Sequence, residues 1–181
     1  MSNLGWGCDF VPWDSNSINW DDFDAVIIRS TWDYQQKEKL FFKTLQSIEA
    51  SSATLYNSLD TVKWNINKRY LLELEKENIS IIPTRLYDSF DFDIVNQLFS
   101  FFNEKKLVIK PCVSANADDT FILDQSKIKN LKTVLESTYS QKDFLVQPFI
   151  KSIKNEGEYS LIYFGNRLSH VLLKTPKNGD F

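Results

Sequence analysis

The stretch Leu107-Val108-Ile109-Lys110-Pro111 decides the fold, because it closes an apolar run with a single positive charge. Three consecutive aliphatic residues predict a buried β-strand over Leu107–Lys110. A second run, Phe144–Gln147, lies further along the chain and ends at Pro148. A charge that closes a buried strand needs an anionic partner, and the proline removes a backbone donor from the sheet ladder. Together the two strands predict a nucleotide-binding slot.

The composition disfavours nucleic acid as the main partner of this protein. The 181 residues suffice for one domain or two small ones, and the net charge of -3 with a pI near 5.2 lacks the basic field of a nucleic-acid binder. Cys8, Cys112 and the single His170 lie far apart, which argues against a disulfide scaffold or a zinc site. Without a leader pattern or a membrane-length apolar run, we expect a cytoplasmic protein with no membrane partner.

The glycines restrict how phosphate can be bound. All five lie at the two ends of the chain, and none occurs between residues 8 and 156. A GxGxxG fingerprint and a P-loop are therefore excluded from that region. Any phosphate contact there would rest on lysines and small polar side chains.

The first third of the chain predicts a β-α-β order. Asp24–Arg29 is a short apolar run typical of a buried parallel strand, and Thr54–Tyr56 is the next strand. Apolar positions at helical spacing predict a helix over Lys37–Ile48 between them. Residues 1–59 are thus expected to form half of an open α/β domain, and a helix from Thr61 to about Glu77, capped by Asp60, follows.

The middle of the chain predicts a compact α+β unit of four strands and two helices. The expected strands are Ser80–Thr84, Leu107–Lys110, Thr120–Leu123 and Phe144–Gln147, and the expected helices are Phe92–Asn103 and Ser126–Thr138. A charged turn at residues 154–157 then leads into a β-hairpin with strands Glu158–Phe164 and Leu168–Lys174 around Gly165.

The order of several motifs resembles the ATP-grasp superfamily. The sequence carries Asn67-Lys68, then Ile109-Lys110-Pro111, then Gln147-Pro148-Phe149-Ile150, and finally Glu158. This order is similar to that of prokaryotic glutathione synthetase and the ribosomal-protein glutamate ligases. Residues 29–34 and 172–181 look like the branch that contains the cyclising ligase of the cycloserine pathway.

The resemblance implies a fold class of α/β with an α+β lid. It assigns residues 1–59 to an N-terminal domain that lacks its first strand. Residues 60–150 would be a helix and the central lid subdomain, and residues 151–181 the start of a C-terminal subdomain.

The resemblance also implies roles for individual residues. Lys68 and Lys110 would contact ATP phosphates, with Lys110 also near the adenine edge, and Ser114 could meet phosphate through its hydroxyl and backbone. The hinge that pairs with adenine would consist of Gln147, Pro148, Phe149 and Ile150. Glu158 would accept hydrogen bonds from the ribose hydroxyls, and Arg29 would bind a substrate carboxylate.

Each of these residues also has a purely structural interpretation. Lys68 could be a solvated helix lysine, and Lys110 could extend from a strand end towards water. Glu158 could simply flank the hairpin, and Arg29 could pair with Asp33 to close a loop. The combined pattern favours the functional interpretation.

The loop between the two lid strands departs from the family pattern. Relatives carry glycines there, whereas Val113–Thr120 is glycine-free and contains Asp118 and Asp119. Two carboxylates would repel a triphosphate unless they turn away from it, so neither is assigned to the site.

The implied reaction uses ATP to activate a carboxylate as an acyl phosphate, which an amine or related nucleophile then attacks. The family's Mg²⁺ ligands come after the Gly179-Asp180-Phe181 segment, so we expect them beyond this chain. The chain is therefore expected to be a truncated or degenerate ligase that does not ligate alone, with a nucleotide and a small carboxylate as partners and a homodimer as its expected self-association. The alternatives are a binding module that uses the aromatic stretch 6–20, and an ATP-grasp-like small-molecule kinase.

Overall fold

The computed structural model describes residues 4–175, which divide into two units. The first extends to Glu77 and includes Val113–Asn116, and the second comprises Asn78–Cys112 and continues from Ala117. Each unit has its own apolar core. Across the residues described, every helix is too short or too polar to traverse a bilayer. The predicted Gly179-Asp180-Phe181 segment lies outside these residues, and the predicted boundaries after residues 59 and 150 stay predictions.

The first unit contains the predicted β-α-β order. Strands β1 (Ala25–Ile27) and β2 (Thr54–Tyr56) pair in parallel, with Val26 opposite Leu55, and helix α1 (Glu38–Glu49) connects them. The buried side chains of α1 recur at helical spacing because one face packs on the strands. Seven residues form this core, namely Phe41, Leu45, Ile48, Leu55, Leu59, Val62 and Ile66.

The predicted single helix from Thr61 to about Glu77 is wrong. The structure has α2 (Leu59–Asn65) and α3 (Tyr70–Lys76), separated by a turn. Asn67 Oδ1 accepts a 3.0 Å hydrogen bond from the Arg69 N–H, so a side chain replaces a helical carbonyl as the acceptor. The cap is Ser58, which accepts from the Thr61 N–H, rather than Asp60.

The second unit is built on a four-stranded antiparallel sheet with strand order β3-β6-β4-β5. Its strands are β3 (Arg85–Tyr87), β4 (Lys106–Pro111), β5 (Phe121–Asp124) and β6 (Phe144–Pro148). Helices α4 (Phe92–Phe102) and α5 (Lys132–Tyr139) contribute to one core with alternate strand residues such as Leu107, Ile109 and Val146. The prediction of four strands and two helices is confirmed for the part of this unit that ends at Pro148.

Three local predictions in this unit need correction. The strand expected over Ser80–Thr84 begins instead at Arg85, after Pro83, which lacks the N–H needed for a ladder. The helix expected from Ser126 starts as a 3₁₀ turn over Ile128–Leu131 before α5. The charged turn expected at residues 154–157 follows a short helix, α6 (Lys151–Asn155).

The sheet has a second face, opposite the helices. Because directly opposed residues of antiparallel strands share a face, the pairing of Val108 with Gln147 and of Lys110 with Leu145 places all four side chains there. Ile122 joins them through its pairing with Val108. The closing charge of β4 therefore lies on the face opposite α4 and α5, where Leu145 and Gln147 are buried.

The hairpin consists of β7 (Glu158–Phe164) and β8 (Arg167–Lys174), as predicted. Gly157 precedes it with φ +106°, and a Cβ there would lie 2.5 Å from the Lys174 carbonyl oxygen, so glycine is required. The register places Glu158, Ser160, Ile162, His170, Leu172 and Lys174 on one face. The other face is apolar and exposed, with Tyr159, Leu161, Val171 and Leu173.

Candidate functional site

Lys110 is a half-buried cation on the second face of the sheet. Its cross-strand neighbour Leu145 is completely buried. Burial lowers the pKa of Lys110, because the charged ammonium loses water, and the negative charge of Glu158 raises it partly back. The structure therefore brings the predicted phosphate contact and the predicted ribose acceptor into electrostatic reach of each other.

The predicted hinge begins at a buried amide. Gln147 Nε2 donates a 2.8 Å hydrogen bond to Thr84 Oγ1, and Thr84 in turn donates to the Ile82 carbonyl at 2.7 Å. Sequence reasoning missed Thr84, for which the only signal was a polar residue directly after Pro83. Since this contact orients the Gln147 side chain, Thr84 is part of the candidate site.

The hinge ends where the β4–β6 ladder ends. The Phe149 N–H donates to the Lys106 carbonyl at 3.1 Å, which extends the pairing by one bond. Ile150 follows as the residue before α6, so its N–H lies outside the sheet ladder. Backbone groups at such a position can pair with a planar heterocycle edge.

A cleft of about 650 Å³ lies beside Phe149. Phe149 and Ile122 supply its apolar surface, and the other lining residues are Asn103, Glu104, Lys105, Lys106, Lys151 and Lys154. The combination of an aromatic wall with four lysines suits a ligand that is planar at one end and negatively charged elsewhere.

Glu158 begins β7 next to Gly157. Its carboxylate lies 3.8 Å from Lys174 Nζ, and both side chains are more than half exposed. An exposed ion pair of this kind contributes little to stability, so the carboxylate can accept from hydroxyl groups without loss of a buried contact.

Lys68 lies in the turn between α2 and α3 rather than on a solvated helix face. It is half buried, and its Nζ donates to Ser114 O at 3.0 Å and to Ser114 Oγ at 2.9 Å. Two residues predicted to meet phosphate are therefore in contact with each other within the first unit. The hydroxyl and the carbonyl of Ser114 thus accept from the Lys68 ammonium, a group that can also bind an anion.

Arg29 is exposed and follows β1 in the first unit. The alternative interpretation pairs Arg29 with Asp33, but both oxygens of Asp33 already have other partners. Oδ1 accepts from Trp13 Nε1 at 2.8 Å, and Oδ2 lies 3.5 Å from Lys37 Nζ. The indole hydrogen bond is the main cause of the lowered pKa of Asp33. Asp33 thus has partners that do not involve the arginine.

Of the two carboxylates in the lid loop, that of Asp119 is bound by a lysine. Its side chain pairs with Lys142 and its carbonyl accepts from the Tyr139 hydroxyl, all within the second unit. The loop also adopts left-handed conformations without glycine, with φ of 55° at Asn116, 59° at Ala117 and 52° at Asp119. The loop therefore makes the turns that glycine normally permits.

The candidate residues form two groups. Lys110, Gln147–Ile150 and Glu158 lie in the second unit, whereas Arg29, Lys68 and Ser114 lie in the first. Within residues 4–175 no three or more His, Cys, Asp or Glu side chains are grouped so that they could hold a metal ion. The residues present fit the organic and phosphate parts of a nucleotide, and the predicted Mg²⁺ ligands fall outside them.

The fold has clear counterparts among known proteins. The crystal structure of the D-cycloserine synthetase DcsG superposes with a TM-score of 0.86 at 21% identity, over 96% of this chain and 60% of that one. A RimK domain ATP-grasp protein from Sphaerobacter thermophilus DSM 20745 superposes with a TM-score of 0.58 at 14% identity, over 72% of this chain and 48% of that one. The chain has the ATP-grasp fold.

Sequence comparison agrees with this assignment. The family profile for the N-terminal domain of D-cycloserine synthetase DcsG matches residues 1–57 of this chain. The cycloserine biosynthesis protein DcsG of Streptomyces lavendulae is 24% identical over 176 residues, which is 94% of this chain and 58% of that protein. The chain thus spans about three fifths of the length of this relative, and the predicted resemblance and fold class are confirmed.

Proposed function

We propose that this chain is the ATP-binding portion of an ATP-grasp ligase that activates a carboxylate as an acyl phosphate. The ATP-grasp fold and the similarity to a D-cycloserine synthetase support an ATP-dependent ligase. The nucleotide and a small carboxylate are its proposed partners, and Mg²⁺ is the proposed accompanying cation, with ligands from outside residues 4–175.

The observation that carries this proposal is Lys110 in its partly desolvated position on the second face of the sheet, beside the buried Leu145. Retaining an ammonium there is unfavourable unless an anion meets it. Glu158 is a weak partner for this purpose, because its carboxylate is exposed and already lies near Lys174. A polyphosphate would supply the missing negative charge. Phe149 of the predicted hinge also lines the cleft, whose lysines add positive charge beside it, although Lys110 is not among the lining residues.

The proposed chemistry balances in two steps. A carboxylate oxygen attacks the γ-phosphorus of ATP, the bond to the β-phosphate oxygen breaks, and ADP leaves. An amine or related nucleophile then attacks the acyl carbon, inorganic phosphate leaves with the bonding electrons, and the nucleophile loses its proton to solvent. Lysines at the phosphates would stabilise the negative charge that develops on the transferred group.

Equilibrium binding of a non-hydrolysable ATP analogue tests the proposal. We expect the wild-type chain to bind it and Lys110→Ala to weaken binding at least about tenfold, because a charge-assisted contact to phosphate is worth about 1.5–3 kcal/mol. Lys129→Ala is the matched control, since Lys129 is an exposed lysine of the second unit outside the cleft. Equal affinity of Lys110→Ala and Lys129→Ala would contradict the proposal.

Glu158 allows a second, independent readout. If its carboxylate accepts from ribose hydroxyls, the wild-type chain should prefer ATP over 2′,3′-dideoxy-ATP, and Glu158→Gln should reduce that preference. We do not expect the chain alone to complete ligation, so these assays measure binding. Steady ATP-dependent amide formation by the chain alone would overturn that expectation.

A non-catalytic binding module is the second candidate, and one observation favours it. In the first unit, Trp6 is 59% and Phe10 is 92% exposed, within the aromatic stretch that could contact a partner. If this candidate is right, substitutions at Lys68 and Lys110 leave the binding of that partner intact, whereas Trp6→Ser abolishes it.

A further inference from the structure

The end of the lid loop is fixed to the second unit at Asp119. The side chain of Asp119 pairs with Lys142, and its carbonyl oxygen accepts from the hydroxyl of Tyr139. Tyr139 is the last residue of α5 and is completely buried in the core that the helices share with the sheet. Lys142 follows three residues later. Both partners of Asp119 therefore come from the side of the sheet that carries the helices.

Lys110 is close to Asp119 along the two strands but lies on the second face of the sheet. The ladder between β4 and β5 ends with Ile109 opposite Phe121, and Lys110 follows directly on β4. Asp119 precedes Phe121 by two residues. Burial lowers the pKa of Lys110 and the charge of Glu158 raises it partly back, whereas Asp119 does not contribute. The Asp119 carboxylate is thus near the proposed phosphate contact in the fold without acting on it.

An unpaired carboxylate at Asp119 would disfavour a polyphosphate at Lys110. Two residues of chain span at most about 7 Å, so the Asp119 backbone lies within that distance of Phe121, which closes the ladder. Exposed charges act on each other over a Debye length of about 8 Å at physiological ionic strength, and more strongly where water is partly excluded. Pairing of the carboxylate with a lysine ammonium cancels most of this repulsion.

We propose that Lys142 is a positioning residue for nucleotide binding, which holds the Asp119 carboxylate on the helix side of the sheet and away from the polyphosphate. The Tyr139 hydroxyl supports the same arrangement through the Asp119 carbonyl, in a residue whose φ of 52° is left-handed. This inference rests on the proposed function and adds to it a residue that itself does not touch the nucleotide. Lys142 acts through Asp119.

The affinity for a non-hydrolysable ATP analogue tests this role. We expect Lys142→Met to weaken binding about threefold to tenfold, because the released carboxylate repels the phosphates. Lys132→Met is the matched control for the loss of one positive charge. Lys132 belongs to α5, and its described ion pair is with Glu136 of the same helix, at 3.8 Å. Equal affinity of the two variants would overturn the proposal.

Further variants separate the charge of Asp119 from a structural effect. The double variant Lys142→Met with Asp119→Asn lacks the carboxylate, so we expect its affinity to return to within about twofold of the wild-type value. Lys142→Arg keeps the charge and should bind as the wild-type chain does. Adenosine carries no phosphate, so its affinity should be the same in every variant. If the double variant stays weak, or if adenosine binding falls together with that of the analogue, the proposal is wrong.

Asp119→Asn alone tests the inference even if Lys142→Met fails to fold. Asparagine tolerates the left-handed φ of this position. Because the wild-type carboxylate is already paired, we expect its removal to change the affinity for the ATP analogue by less than about twofold. A gain of about threefold or more would show that the carboxylate already repels the nucleotide, which contradicts the role given to Lys142.

The proposed function and this inference fail in different ways. If the wild-type chain does not bind the analogue, both fall together. If the wild-type chain binds and Lys110→Ala does not, but Lys142→Met binds as tightly as Lys132→Met, only the positioning role is refuted.

Discussion

Gln147 Nε2 donates a 2.8 Å hydrogen bond to Thr84 Oγ1, and the two side chains are 6% and 1% exposed. This bond joins the end of β6 to the segment that enters β3. It therefore fixes the first residue of the candidate hinge from the edge of the sheet. Its energetic value is high because buried amide groups are unfavourable without partners.

Thr84→Val is expected to lower the free energy of unfolding by about 1–3 kcal/mol. Valine keeps the shape of threonine but leaves the Gln147 amide without its hydroxyl partner. Urea unfolding followed by circular dichroism measures the change. The double variant Thr84→Val with Gln147→Leu removes both polar groups and is expected to recover part of the loss. The coupling would be refuted if the double variant lost as much stability, relative to the wild-type chain, as the two single variants lose together.

Lys110 predicts a pH dependence with a defined sign. Burial places its folded pKa below the ordinary 10.5, so between those two values the unfolded chain binds more protons than the folded chain. The contribution of Lys110 to stability therefore rises as the pH is raised through that window, and below it the contribution is a constant penalty. Lys110→Met should abolish this dependence, as seen by subtracting its unfolding free energies from those of the wild-type chain across pH 7–10. A difference that does not vary with pH would contradict the assignment.

The sequence predicted much of the sheet that carries the site, because β4, β6 and the hairpin are apolar runs ended by distinct charges, prolines or glycines. It could not predict the break at Asn67, where a local side-chain bond outweighed a continuous apolar pattern. The contact between Lys68 and Ser114 was equally out of reach, since the residues lie 46 positions apart and each looked like a phosphate ligand. Spacing identifies candidate residues, but it does not show which of them already bind each other.

Trp13→Phe should raise the pKa of Asp33. The indole hydrogen bond is the main cause of the lowered pKa, and phenylalanine keeps an aromatic ring against Phe41 without the donor. A carboxyl with a depressed pKa contributes stability above its unfolded value of 3.8, and that contribution is lost as the pH falls through the folded pKa. The variant should therefore lose less stability on acidification than the wild-type chain does.

Carbon-13 NMR titration of the carboxylates measures this effect directly. Asp124 serves as the internal control, because its pKa is lowered by Ser126 rather than by Trp13. Ser126→Ala should raise the pKa of Asp124 and leave that of Asp33 unchanged. The same shift at both carboxylates in either variant would point to a global change in the fold and not to the hydrogen bond.

The apolar face of the hairpin predicts self-association of the chain at high concentration. Tyr159, Leu161, Val171 and Leu173 are each 48–61% exposed on one side of β7 and β8. Burial of a leucine between two copies is worth about 1.5–3 kcal/mol, so Leu161→Glu should raise the apparent dissociation constant at least about tenfold. His170→Glu is the matched control, because His170 is exposed on the opposite face of the same hairpin. Sedimentation equilibrium measures both, and equal effects of the two variants would show that the apolar face is not the contact.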